Sequence, residues 1–228
     1  MMFYDCHAHQ VGTQAGGLMI AIENSKVGDM PVYSNLALRQ ADLGEHFCKV
    51  EYVTHAFQKT TTRIVKYHPR FEGYSAQQVL RDIAIRRPVA VVIDTLNAPF
   101  WTSYDYWKIA HANPDIQFLF SHAGGYDIQK FLEMCHFTKN IWLDFSYIQN
   151  FYGVIGDRPK YKMFEDAMEY ALVADFKGRI LFGSDYPEYP QERNVAWYEE
   201  HNAAQLMNEN FERFRALIEN HREKKALM

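Results

Sequence analysis

Short apolar or β-branched runs alternate with segments of helical periodicity along most of this chain. Side chains two apart share a face of a strand, whereas those three or four apart share a face of a helix. On that basis strands are predicted over residues 2–7, 17–22, 49–53, 63–67, 89–94, 116–121, 140–144 and 179–183. Between them, Ser75-Ala76-Gln77-Gln78 has the form of a capping box, opening a helix that runs to residue 85. Further helices are predicted over 105–112, 127–137 and 161–176, the last with Phe164, Met168, Ala171 and Leu172 in helical register. A long, charged helix over 202–225 carries Leu206, Phe211, Phe214, Leu217 and Ile218 along one side.

Eight strands that mostly alternate with helices predict a parallel sheet, and eight is the number that closes a (β/α)8 TIM barrel. The expected fold class is therefore α/β, a compact barrel forming a single domain over residues 1–228. An open doubly wound sheet would announce itself by a glycine-rich turn after the first strand. His9-Gln10-Val11-Gly12 is not that turn.

Composition narrows the classes of partner. Hydrophobic residues are 48% of the 228, enough for a sizeable core, and no apolar run approaches the ~20 residues of a membrane span. The net charge is −4 with no basic block, which argues against nucleic acid and an anionic membrane as partners. A small-molecule substrate is the expected partner. The charge of the C-terminal helix leaves a homodimer open. Met1-Met2-Phe3-Tyr4-Asp5-Cys6 has no basic region and reads as a first strand rather than a signal peptide. Cys6, Cys48 and Cys135 are an odd number without CxxC spacing, as expected of reduced thiols in a cytoplasmic protein. Strand alternation puts Cys6 behind the first strand, away from His7 and His9.

The chemistry gathers at strand ends. Asp5, His7 and His9 share one face where the first strand closes. His122 ends the sixth strand, followed by Gly124-Gly125, and Asp185 follows the eighth after Gly183-Ser184. Barrel active sites lie at the C-terminal strand ends, and the last strand neighbours the first. Histidine and aspartate are transition-metal ligands, so one ion is within reach of all three ends. Asp185 also has a structural reading as a helix N-cap. Asp144, at the end of the seventh strand, is expected to be structural. Lys66 and His68 share a face at the end of the fourth strand, and Arg70, just beyond, suits a substrate carboxylate or, equally, is a surface loop charge after Pro69. Phe100, Trp101, Tyr104 and Tyr106, with Phe145, Tyr147, Phe151 and Tyr152, either wall a pocket for a flat or apolar substrate or, equally, fill the core and subunit contacts.

Asp5-x-His7-x-His9, Lys66-Tyr67-His68-Pro69-Arg70, Ser121-His122-Ala123-Gly124-Gly125 and Phe182-Gly183-Ser184-Asp185-Tyr186-Pro187 together resemble the strand-end motifs of the amidohydrolase superfamily. The resemblance is to the TIM-barrel metal-dependent hydrolase branch that includes aminocarboxymuconate-semialdehyde decarboxylase. It implies that His7 and His9 bind a divalent metal. Asp185 is then a ligand or the proton-transfer carboxylate, and His122 orients or activates water or substrate. In binuclear members a carboxylated lysine stands where Lys66 does; otherwise Lys66 would pair with Asp5 or Asp94.

One position departs from the pattern. The family's fifth strand usually ends in a histidine within Pro-Val-x-x-His-Thr, whereas this chain reads Pro88-Val89-Ala90-Val91-Val92-Ile93-Asp94-Thr95. Asp94 is therefore expected to join His7, His9 and Asp185 as a ligand. Two histidines and two carboxylates neutralise a divalent ion, which polarises water less and suits harder ions. The expected cofactor is one divalent metal, zinc foremost, with manganese also suited because of Asp94. The expected activity is hydrolysis of a small-molecule ester, lactone or amide by metal-activated water, with Asp185 and His122 as catalytic residues and Lys66, His68 and Arg70 binding substrate. The alternatives are a non-oxidative decarboxylase on the same scaffold and a metal-free ligand-binding barrel.

Overall fold

The computed structural model describes residues 3–7, 25–27, 30–34, 51–53, 64–96, 98–146, 162–185 and 191–226. In chain order these form β1 (Phe3–Asp5), β2 (Ser25–Val27), β3 (Met30–Ser34), β4 (Glu51–Tyr52), β5 (Ile64–Tyr67), α1 (Pro69–Glu72), α2 (Ala76–Arg86), β6 (Ala90–Asp94), α3 (Ser103–His111), β7 (Gln117–Ser121), α4 (Ile128–Phe137), β8 (Ile141–Asp144), α5 (Lys162–Val173), β9 (Ile180–Leu181), α6 (Gln191–Glu200) and α7 (Ala204–Ala226).

Strands β4 to β9 pair in sequence order, each parallel to the next. A second sheet pairs β1 parallel to β3, with β2 antiparallel on the far side of β3. Backbone hydrogen bonds from Cys6 N to Phe182 O (2.9 Å) and from Asp185 N to His7 O (2.7 Å) join the end of β1 to the end of β9. The order around the wall is thus β3-β1-β9-β8-β7-β6-β5-β4. This is the (β/α)8 barrel that strand–helix alternation predicts, with β2 as an added hairpin strand.

The second barrel strand differs from expectation: it lies at Met30–Ser34, and the predicted stretch 17–22 falls outside the described residues. Val27 pairs with Met30 at the near end of the antiparallel β2–β3 pair. The helix predicted from residue 105 begins at Ser103. Asp105 occupies the third helical position, where its Oδ2 accepts from Thr102 N at 2.8 Å, so it caps the helix rather than opening it. The Ser75 box forms as read, with Gln78 N donating to Ser75 Oγ at 3.2 Å and Ser75 N to Gln78 Oε1 at 2.8 Å.

Two apolar clusters follow from strand alternation. One set of strand residues, among them Val65, Val91, Phe118, Phe120 and Leu143, packs against helix residues such as Ile83, Ile109, Phe131 and Met168. The opposite set, Ile64, Val92, Leu119, Trp142 and Leu181, packs with Phe211, Phe214 and Ile218 of α7. Because Ile64, Val89 and Ala90 lie at or before strand N-termini, α7 covers that end of the barrel and leaves the C-terminal ends for chemistry. No helix among the described residues is long and apolar enough to cross a membrane.

Candidate metal centre

The strand ends bring polar residues to one buried place. His7, Lys66, His68, Asp94, His122, Asp144, Ser146 and Asp185 are all buried, although each belongs to a polar type that normally stays in water. Each stands at or just past the C-terminal end of its strand, except Lys66, which lies one residue before the end of β5. Burial at such a density requires that the groups satisfy one another.

His7 and Asp185 form the seam between the first and last strand ends. His7 Nε2 is 3.2 Å from Asp185 Oδ1 and 3.0 Å from Lys66 Nζ. His7 Nδ1 is 2.7 Å from Ser146 Oγ and 3.4 Å from Asp144 Oδ2. The close approach of these strands excludes a side chain at Gly183, where a Cβ would lie 3.0 Å from both Asp144 Cγ and His7 Cβ. His122 sits 4.8 Å from His7, ring centre to ring centre. Its Nε2 is 3.0 Å from Asp94 Oδ2, and His68 Nε2 reaches the same oxygen at 3.2 Å.

Two of these residues have strained backbones. His122 (φ 64°) and Asp185 (φ 63°) are left-handed, a conformation that costs about 1–3 kcal/mol for a residue other than glycine and persists where surrounding contacts impose it. After His122 the chain continues left-handed through Ala123 and Gly124. A Cβ at Gly124 would lie 2.1 Å from Phe131, so the close approach served by this glycine is to α4 rather than to substrate.

The protonation pattern divides the imidazoles. Burial, then Lys66, pushes His7 down to about 4 despite Asp144 and Asp185. Burial likewise holds His68 at about 3. Burial also disfavours the charged form of His122, but Asp94, Asp185 and Asp144 outweigh it and raise the group to about 9. Asp94 is pushed up by burial, yet His122, His68 and Lys66 hold it well below the usual carboxylate range. Burial lowers the Lys66 ammonium against the pull of Asp94, Asp185 and Asp144.

His7, His122 and Asp185 each offer a ligand atom, and these atoms lie within 4.8 Å of one another. Ligands at ~2.0–2.2 Å in tetrahedral array stand about 3.4 Å apart, so the 3.2 Å between His7 and Asp185 already fits a shared ion. Two imidazoles and a carboxylate suit zinc and similar divalent ions. Asp94 lies at the edge of this group against His122, and His9 falls outside the described residues. Lys66 hydrogen-bonds His7 rather than Asp94. Arg70 lies over the Phe71 ring at 4.5 Å, and its buried Nε has no hydrogen-bond partner among the described residues.

Asp144 Oδ1 ties the strand ends together, accepting from Ser146 N (3.0 Å), His122 N (3.2 Å) and Ser146 Oγ. Cys6 is buried but not behind the strand. Regular strand ends at Asp5, and Cys6 turns to the interior cluster with Sγ 4.0 Å from Asp144 Oδ2. Ser146 is the residue that the sequence reading misses; a serine two positions past a strand end carries no signal until its neighbours are known. Trp101 and Tyr106 line a cleft of ≈280 Å³ with Thr95, Gly124, Tyr126 and Phe131, beside the ends of β6 and β7. Phe100 and Tyr104 are exposed, Phe145 is buried, and Tyr147, Phe151 and Tyr152 lie outside the described residues. A larger groove of ≈790 Å³ between α4 and α5 contains none of the site residues.

Residues 59–215 match the family model described as Amidohydrolase. No curated protein sequence matches the chain. Among solved structures, it is similar to an uncharacterized TIM-barrel protein of Bordetella bronchiseptica, at 16% identity and a TM-score of 0.51, over 69% of this chain and 58% of that one. It also aligns with a candidate 2-pyrone-4,6-dicarboxylic acid hydrolase of Pseudomonas putida, at 16% identity and a TM-score of 0.43, over 69% and 63% of the two chains. A candidate hydrolase of the same acid from Acinetobacter baumannii, solved with citric acid bound, aligns over 96% of both chains at 14% identity and a TM-score of 0.35. The chain thus covers less than two thirds of the first two proteins.

Proposed function

This chain belongs to the amidohydrolase family, and from that premise we propose that it is a metal-dependent hydrolase of a small-molecule ester, lactone or amide. The observation that carries the reading is the His7–His122–Asp185 cluster, three buried ligand groups drawn from the first strand end, the middle of the chain and the last strand end. This donor set matches catalytic zinc sites, which keep a position open for water or substrate. His7, His122 and Asp185 would hold the ion, with Asp94 against His122 as a fourth candidate ligand. Zinc is the first choice, and a second carboxylate would favour manganese more than an all-histidine site does. When bound, such an ion lowers the pKa of a water and polarises the scissile carbonyl.

The remaining work falls to the chain's own groups. Asp185 is the most accessible of the three, its side chain 10% exposed against 0% for His7 and 2% for His122. It takes the proton of the attacking water and returns it to the leaving oxygen or nitrogen. Lys66, His68 and Arg70 put cationic and hydrogen-bonding groups on the β5 side of the mouth, which favours a substrate bearing a carboxylate. The cleft beside Trp101 and Tyr106 accepts the flat or apolar portion. Neither Cys6 nor Cys135 is in a disulfide, in keeping with a cytoplasmic enzyme.

The cations near the mouth also favour a second reading, a non-oxidative decarboxylase that grips the carboxylate it removes. Assaying the zinc-loaded protein on a panel of carboxylated lactones, esters and amides separates the two. Proton release and ring opening without carbon dioxide support hydrolysis, whereas carbon dioxide release with no hydrolysis on any member overturns it.

A further inference from the structure

Ser146 lies two residues past β8, fully buried, and its hydroxyl touches three members of the site. Its Oγ is 2.7 Å from His7 Nδ1 and 3.1 Å from His122 Nδ1, and it makes a very short contact with Asp144 Oδ1. A hydroxyl has one proton to give and two lone pairs to receive with. Asp144 Oδ1 also accepts from Ser146 N at 3.0 Å and from His122 N at 3.2 Å, so this oxygen accepts and does not donate. The serine proton therefore goes to Asp144, and both lone pairs face imidazole nitrogens that must bring their own hydrogens.

Independent contacts impose the same pattern. The carbonyl oxygen of Ser146, which cannot donate, lies 2.9 Å from His122 Nδ1. On the far side of the other ring, the Lys66 amine lies 3.0 Å from His7 Nε2 and is suited to donate to it. Each ring thus carries hydrogen on Nδ1, and each turns Nε2 toward the carboxylates, His7 toward Asp185 and His122 toward Asp94.

We propose that Ser146 is a positioning residue that keeps hydrogen on Nδ1 of both rings, of His7 through its hydroxyl and of His122 through its hydroxyl and carbonyl oxygen, so that both Nε2 atoms aim at the shared site. The importance of that aim for zinc and turnover rests on the hydrolase reading; the tautomer itself does not. Partners of this kind orient metal-binding histidines, and their loss costs about 10- to 100-fold in metal affinity or activity.

Long-range proton–nitrogen NMR of histidine-labelled protein tests this, with the two rings assigned by their loss in His7→Asn and His122→Asn. In the zinc-loaded wild type both rings should show the proton on Nδ1, and in the metal-free protein His122 should carry a second hydrogen on Nε2, toward Asp94. Ser146→Ala should shift His7 toward a tautomer mixture and weaken zinc binding about 10- to 100-fold. His122 should keep its Nδ1 proton through the Ser146 carbonyl. Ser146→Thr, which retains the hydroxyl, should restore both properties. A wild-type His7 protonated on Nε2 overturns the proposal even if no variant folds, and so does a folded Ser146→Ala with unchanged His7 tautomer and zinc affinity. Intact tautomers in a protein that hydrolyses nothing would count against the hydrolase reading instead.

Discussion

His7 Nε2 lies 3.2 Å from Asp185 Oδ1, so the first and last strand ends of the barrel share one site. This contact exists only because the wall closes between β1 and β9, where Cys6 N bonds Phe182 O and Asp185 N bonds His7 O. Fold and chemistry are coupled at this seam: a side chain added at Gly183 would press on both His7 and Asp144.

Asp185→Asn should fold and lose most of its activity. Asparagine tolerates the left-handed backbone found at this position, so the strain does not worsen. The amide neither accepts a proton nor carries the ligand charge, and kcat/KM should fall by about 10²- to 10⁴-fold. Circular dichroism checks the fold, and turnover of a cognate lactone or ester checks the loss. Wild-type turnover would remove Asp185 from the mechanism.

The metal-stripped protein should be most stable near pH 6.5. Folded His7 titrates at about 4 and His68 at about 3, so below 6.5 the unfolded chain takes up protons that the folded chain refuses. Stability therefore falls as pH drops from 6.5 toward 4. His122, raised to about 9, contributes stability that is complete below 6.5 and lost as pH rises through 9. Thermal unfolding across this range should give a maximum in Tm, and a flat profile would contradict the opposed shifts.

Gly124→Ala should destabilise the fold by about 2 kcal/mol or more, through the left-handed φ of 84° and the overlap with Phe131. For a chain of this size that is a Tm loss of roughly 4–8 °C. An unchanged Tm would mean that α4 shifts freely away from the turn.

Cys135 should resist alkylation in the native protein. Burial pushes its thiol up to about 12, and its sulfur donates to Ile141 O at 3.4 Å. Mass spectrometry after treatment with iodoacetamide at neutral pH should find it modified only after denaturation.

The barrel and much of its site are legible in the sequence because both rest on short-range patterns. Alternation identifies the six strands β4 to β9, and the strand-end rule singles out His7, His122 and Asp185. The second barrel strand escapes because Met30–Ser34 holds only five residues and a proline, so it looks like loop beside the more apolar 17–22 stretch. Cys6 breaks the alternation rule because regular strand ends at Asp5, one residue too early for the rule to apply. Ser146 is invisible for a different reason: its role depends on His7 and His122, which stand 139 and 24 residues away. The sequence pattern casts His122 as orienting or activating water or substrate, and the geometry groups it with His7 and Asp185, with Asp94 against its ring and His68 against the same carboxylate oxygen.

A divalent metal held by His7, His122 and Asp185 is the centre of the proposed chemistry. Elemental analysis of the purified protein, paired with hydrolysis rates before and after chelation, tests it most directly. The expected result is one ion per chain in the wild type, activity lost on chelation and recovered with zinc or manganese, and little metal in His7→Ala or His122→Ala. Full hydrolytic activity in a chelated protein that holds no metal would contradict it.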